Sequence, residues 1–182
     1  MPEETGNQTF REAMEQMLGR SLTEEEVLAA YEAGPDDLED ALEGLDDADL
    51  DLARAPNKWT VRQIVHHIVD GDAIWDVCLK AAIGNPGCTY SMGWYDQDPW
   101  AEALDYARRE IPSALAVLRA NRRHIVRLLR HLPDVWERRL LVTWPHLPEG
   151  RELSVHDILC IQTVHVPWHV DQIRETRQVH RR

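Results

Sequence analysis

Apolar residues recur along this chain at intervals of three and four, and strict alternation is almost absent. That pattern predicts helices rather than strands. Phe10, Met14, Met17 and Leu18 fall at helical spacing before Gly19 and predict a short first helix. The next helix opens on a capping box: Thr23 is the cap, Glu26 completes the box, and Leu22 with Val27 supply the flanking hydrophobic staple. It runs toward Leu45, and Gly34-Pro35 is expected to kink or break it, because proline lacks the N–H and crowds the preceding turn. A polar connection at 46–58 leads to a second box, Thr60 with Gln63, stapled by Trp59 and Ile64. This helix reaches about Ile83 and stops at Gly84-Asn85-Pro86-Gly87.

Residues 84–98 read as a long loop holding Tyr90, Trp94 and Tyr95, and loops of that length are usually functional or mobile. Asp98-Pro99 then opens a helix, with Asp as cap and Pro at the first helical position. Leu104, Ile111, Leu115, Leu118, Ile125 and Leu129 give it one continuous apolar stripe, which Pro112 is expected to bend. From Pro133 to Gly150 the pattern is irregular, with room for a short hairpin but no strand that can be placed. A third box, Ser154 with Asp157, stapled by Leu153 and Ile158, opens the last helix. Three boxes and four long amphipathic segments describe an all-α fold: a four-helix bundle over 21–182 with a short N-terminal helical extension at 1–20.

Composition narrows the function. The formal charge of −12 argues against a nucleic-acid partner, since phosphate binding needs a basic footprint. No apolar run approaches the roughly 20 residues of a membrane span, and Met-Pro-Glu-Glu does not begin a secretory signal. The expectation is a cytoplasmic protein with neither membrane nor nucleic acid as a partner. Carboxylates crowd Asp36–Asp51 without calcium-loop spacing. Cys78, Cys88 and Cys160 make no Cys-x-x-Cys pair and no disulfide framework.

The candidate chemistry lies in His165-Val-Pro-Trp-His169. At i and i+4 on a helix, two side chains share a face with Cβ atoms roughly 5–6 Å apart, close enough to converge on one metal ion. Val155, Ile158, Leu159, Val166 and Ile173 define the apolar stripe of that helix. His165, His169 and Gln162 fall inside it, with Gln172 at its edge. Polar groups on a buried face are costly unless partnered, and bundle metal sites are built from such inward side chains. The alternative is two buried histidines bonded to backbone or carboxylates.

A metal needs a third ligand. By helical arithmetic His67 lies about 110° from the stripe centre of its helix and His66 about 150°. His67 can therefore turn toward a neighbour, while His66 is expected to face solvent. Cys78 lies about 16 Å along the helix from His67, and His156 about 13 Å from His165, too far to share an ion. His146, in irregular chain, stays open as a candidate.

Two segments carry a resemblance. Trp59-Thr-Val-Arg-Gln-Ile-Val-His-His67 resembles the Trp-Ser/Thr-Val…His segment of the DinB/YfiT-like superfamily, and His165-Val-Pro-Trp-His-Val-Asp-Gln-Ile173 resembles its His-x-x-x-His-x-x-Gln-Ile signature. Tyr95-Asp-Gln-Asp-Pro-Trp100 is similar to the Tyr-Asp…Trp segment before the third helix, and the likeness spans roughly residues 25–177. The resemblance implies a bundle with a divalent metal on His67, His165 and His169, zinc or nickel being the expected ions. It implies a metal-dependent enzyme that transfers a low-molecular-weight thiol, such as bacillithiol or mycothiol, or acts as a hydrolase. A small-molecule substrate and a homodimer go with it. The mycothiol-dependent maleylpyruvate isomerase branch has Glu where His165 stands, so the chain is less like that branch. Gln172 and Asp70, each one turn past a candidate ligand, are candidates for bonding a ligand or lining a pocket. No catalytic acid or base is identifiable. The rival expectation is a non-catalytic, metal-binding or stress-associated bundle with a relict site.

Overall fold

The computed structural model describes residues 12–145 and 147–181. Phe10 and His146 lie outside the described residues, as does most of the N-terminal extension. Residues 12–18 are helical, and Met14, Met17 and Leu18 pack against the core. Five further α-helices follow: α1 (Glu24–Leu42), α2 (Val61–Gly84), α3 (Gln97–Ala103), α4 (Pro112–His131) and α5 (Val155–His180). The capping boxes at Thr23, Thr60 and Ser154 are all formed.

Helices α1, α2, α4 and α5 make the bundle, α1 and α2 each packing on both α4 and α5. Two apolar clusters fill it. One gathers Tyr31, Leu79, Ile125 and Ile158; the other gathers Leu38, Ile64, Leu118 and Val170. Along α1 and α5 the chain passes from the first cluster to the second. Along α2 and α4 it passes from the second to the first. The order is thus up, down, down, up, and the step from α2 to α4 needs a long crossover. That crossover holds α3 and a strand. Between the two clusters lies a polar layer: Gly34, Asp72, Arg122 and Gln162, one residue from each bundle helix. No described helix is long and apolar enough to cross a membrane.

Three expectations are corrected, and the irregular regions resolve into strands. Helix α1 runs unbroken through Gly34-Pro35. Pro35 cannot donate to the Tyr31 carbonyl, but Arg122 Nη1 donates to that oxygen at 2.8 Å, so the lost bond is replaced from another helix. The single long third helix is two. Asp96, not Asp98, precedes α3, α3 ends at Ala103, and Pro112 starts α4 as a first-turn proline instead of bending it. Asp105 between them has φ +51°, which no α-helix accommodates, and Leu104 on the supposed stripe is 40% exposed.

The irregular regions hold a three-stranded sheet. Strand β1 (Thr89–Ser91) pairs parallel with β2 (Arg139–Trp144), and β2 pairs antiparallel with β3 (Leu147–Ser154). Leu140 and Val142 do alternate inward, but Leu141 between them is also apolar and hides the period. The sheet closes the first cluster through Leu140, Val142 and Leu153. Finally, His66 does not face solvent: it is 2% exposed, and its Nε2 lies 3.3 Å from the Arg109 carbonyl. The α2–α4 crossover covers a face that would be open in a bare bundle.

Candidate metal centre

Helix α2 presents His67 and α5 presents His165 and His169. Their ligand-capable atoms all lie within 4.8 Å of one another. His165 Nε2 is 3.2 Å from His67 Nε2, and the ring centroids are separated by 5.1, 4.7 and 4.7 Å. Two nitrogens on a tetrahedral zinc, each at 2.0–2.1 Å, stand roughly 3.3 Å apart. The helices can approach this closely because residue 71 is glycine: a Cβ there would meet His165 Cε1 at 3.0 Å.

Burial keeps the cluster neutral. It pushes His67 and His165 well below the ordinary imidazole range, and the neighbouring imidazoles add to this. His169 is pushed down to about 4, again chiefly by burial. Neutral imidazole is the form that ligates metals.

The outer contacts orient two of the rings. His169 Nδ1 lies 3.2 Å from Gln172 Oε1. A carboxamide oxygen only accepts, so Nδ1 carries the hydrogen and Nε2 keeps its lone pair. The Tyr95 hydroxyl lies 3.2 Å from His67 Nδ1, and the Trp59 ring stacks edge-on to His67 at 4.7 Å. Gln172 thus touches a candidate ligand, whereas Asp70 bonds elsewhere: its carboxylate accepts from the Tyr106 hydroxyl and, at 3.4 Å, from Trp100 Nε1. In the sequence Tyr95 stands in an aromatic loop, and Gly71 carries no signal of a role. Each acts across an interface between elements, which spacing within one element does not reveal.

The remaining candidates are engaged apart from the cluster. His156 Nε2 bonds the Leu22 carbonyl at 3.1 Å, and its Nδ1 lies 3.6 Å from Cys160 Sγ. Burial pushes the Cys160 thiol up to about 11 and Cys78 up to about 12, so neither is a ready nucleophile. A surface cleft of about 580 Å³ lies beside His156, lined by Leu22, Thr23 and Glu137 among others, and includes none of the three clustered histidines. The set His67, His165 and His169 fits a divalent ion on donor type, separation and protonation. Three protein ligands leave coordination positions for reactants, the pattern of a catalytic site more than a structural one.

A model of the DinB superfamily matches residues 30–173. A "Putative metal-dependent hydrolase" of Oceanobacillus iheyensis is 32% identical over 130 residues, 71% of either chain. "Putative metal-dependent hydrolase YfiT" of Bacillus subtilis is 27% identical over 149 residues, 81% of this chain and 80% of the other. The solved structure of YfiT, described as an unusual four-helix bundle topology, superposes with a TM-score of 0.76 at 24% identity, covering 87% of this chain and 90% of that one. The same fold and a family match over most of its length lead to one conclusion: the chain belongs to the DinB superfamily.

Proposed function

We propose that this protein is a metal-dependent enzyme in which His67, His165 and His169 hold a divalent ion, zinc or nickel, and in which a water or a low-molecular-weight thiol attacks a small electrophilic substrate. The observation that carries this reading is the convergence of three neutral imidazoles, two of them facing at 3.2 Å. An ion held there supplies Lewis acidity, which lowers the pKa of a water it takes up to about 7 or favours the thiolate form of a thiol.

The protein's own residues support this division of labour. The outer partners of His67 and His169 are a hydroxyl and a carboxamide, neither a general base, and the Asp70 carboxylate is already engaged by Tyr106 and Trp100. Cys78 and Cys160 are buried, and half-buried Cys88 lies beside Cys78, about 16 Å along α2 from His67, so a thiol nucleophile is a co-substrate and not a side chain. The names of the relatives favour hydrolysis. Trp94, 52% exposed beside Tyr95, offers an apolar wall for the substrate.

The test is reconstitution with zinc, nickel, manganese or iron, followed by assay against ester and amide panels and against thiol–electrophile pairs. Turnover that is lost with chelator and in His165→Ala is the expected result. Bound metal without turnover in either assay would leave a non-catalytic metal-binding bundle, and absence of bound metal would remove the reading altogether.

A further inference from the structure

The Tyr95 hydroxyl is delivered to His67 by a braced ring. Met92 N–H donates to the Thr143 carbonyl at 2.9 Å, and Tyr95 N–H donates to the Met92 carbonyl at 3.1 Å. The Tyr95 ring packs against Trp94 and Trp100, with centroids at 5.9 and 5.6 Å and planes inclined by 69° and 68°. Trp100 is itself tied to α2 through Asp70. While the hydroxyl sits 3.2 Å from His67 Nδ1, the Nε2 of the same ring faces His165.

We propose that Tyr95 is the positioning residue for His67. Its oxygen accepts the Nδ1 hydrogen, fixes the ring plane and leaves the Nε2 lone pair for the ion. This rests on the metal-binding half of the function proposed above. An imidazole nitrogen can ligate only when the ring hydrogen resides on the other nitrogen, and the partner of that hydrogen sets the tautomer. Gln172 does this for His169, and Tyr95 does it for His67 from a different part of the fold.

The hydroxyl has a property that a carboxylate would lack: it both donates and accepts. Without an ion, Tyr95 O–H donates to Nδ1 and His67 Nε2–H donates to His165 Nε2. With the ion, the one imidazole hydrogen resides on Nδ1 and donates to the Tyr95 oxygen, and the phenol keeps its own proton. His67 is therefore bonded in both states. Carboxylate partners make a ligating histidine more basic; the neutral partners of His67 and His169 leave more of the ion's charge for the reactants.

Tyr95→Phe tests this, because it keeps the ring packed on Trp94 and Trp100 and removes only the oxygen. Zinc and cobalt affinities by chelator competition should weaken by about 10–100-fold, the range for lost outer-shell partners. The exchangeable Nδ1–H resonance of His67 in the cobalt-loaded protein should lose its protection. Ser91→Ala, which removes the hydroxyl that accepts from Gly93 N–H at the head of the same loop and has no bond to a ligand, should keep affinity within about twofold of native. The inference is overturned if Tyr95→Phe binds as tightly as native, or if Ser91→Ala weakens binding equally, since loop packing and not the hydroxyl would then be responsible. If native protein binds no ion, this inference and the metal reading fall together. If Tyr95→Phe weakens binding while loaded native protein catalyses nothing, only the reactivity reading fails.

Discussion

Two of the buried polar groups in this bundle are built on opposite principles. In the first, the Arg122 guanidinium directs Nε and Nη2 to Asp72 Oδ1 at 3.0 and 2.7 Å and Nη1 to the Tyr31 carbonyl. It also covers the Tyr31 ring at 4.3 Å. The Tyr31 hydroxyl donates in turn to Asp76 at 3.1 Å. Gly34 makes room, since a Cβ there would lie 2.3 Å from Arg122 Nη1. This group is closed: its charges are answered by its own members. In the second, His67, His165 and His169 turn nitrogens toward a common centre, and His67 and His169 take their other contacts from neutral side chains. It is open, in that three nitrogens able to ligate a cation share one centre. The contrast separates a scaffold from a site without reference to any relative.

The sharpest way to break this comparison is through stability. Arg122→Met strands the Asp72 carboxylate, 1% exposed, and should cost about 3–5 kcal/mol in denaturant unfolding. A cost below about 1 kcal/mol, the value of a surface pair, would mean that the pair is not closed. Metal should act only on the open group. Native protein with an ion at about 100 times its Kd should gain about 2.7 kcal/mol, a rise in melting temperature that chelator reverses. His165→Ala should show none of it. A gain that persists in His165→Ala would place the ion elsewhere.

The two groups should also tilt the pH dependence of the metal-free protein in opposite directions. Asp76 is pushed up to about 7 by burial and by the charge of Asp72, from an ordinary 3.8. Between those values the folded chain holds a proton that the unfolded chain has released, so this group lowers stability as pH rises. His169, pushed down from 6.5 to about 4 by burial, does the reverse: between those values the unfolded chain takes a proton that the folded chain refuses, so stability falls as pH drops. Each contributes a slope of up to about 1.4 kcal/mol per pH unit. Unfolding measured from pH 4.5 to 6.5 should rise more steeply with pH in Asp76→Asn than in native protein, and less steeply in His169→Ala. The same sign of change in both variants would contradict the assignment.

The smallest effect concerns Gln162, which shares the polar layer with Asp72 and Arg122. It is 1% exposed, and neither side-chain polar atom has a partner among the described residues. Gln162→Met should therefore stabilise by about 1 kcal/mol, because an unmet buried amide costs about 1–3 kcal/mol. A loss of stability would show that Gln162 belongs to one of the two groups through a bound molecule.

Much of the bundle was legible in the order of residues. Capping boxes at Thr23, Thr60 and Ser154 are local: cap and third residue bond each other within one turn, so the sequence suffices. The common face of His165, Gln162 and His169 is equally local, set by the helical period. Misreadings came where another part of the chain intervened. Pro35 was expected to interrupt α1, but Arg122, far away in sequence, takes the freed Tyr31 carbonyl. Pro112 was expected to bend one long helix, but the turn at Asp105 makes it the start of a second. His66 was expected outside because helical phase cannot show that the crossover will cover it at Arg109.

By itself, then, the sequence determined where three of the four long helices begin, which face of α5 is polar, and that two histidines share that face, because each of these depends on contacts within a turn or two. Only the tertiary structure decided that His67 meets them, that Gly71 admits His165 and that Tyr95 reaches His67 Nδ1. It also decided that Arg122 is a closed interior charge. Those outcomes depend on the distance between elements and the path of the crossover, which periodicity along one helix does not encode.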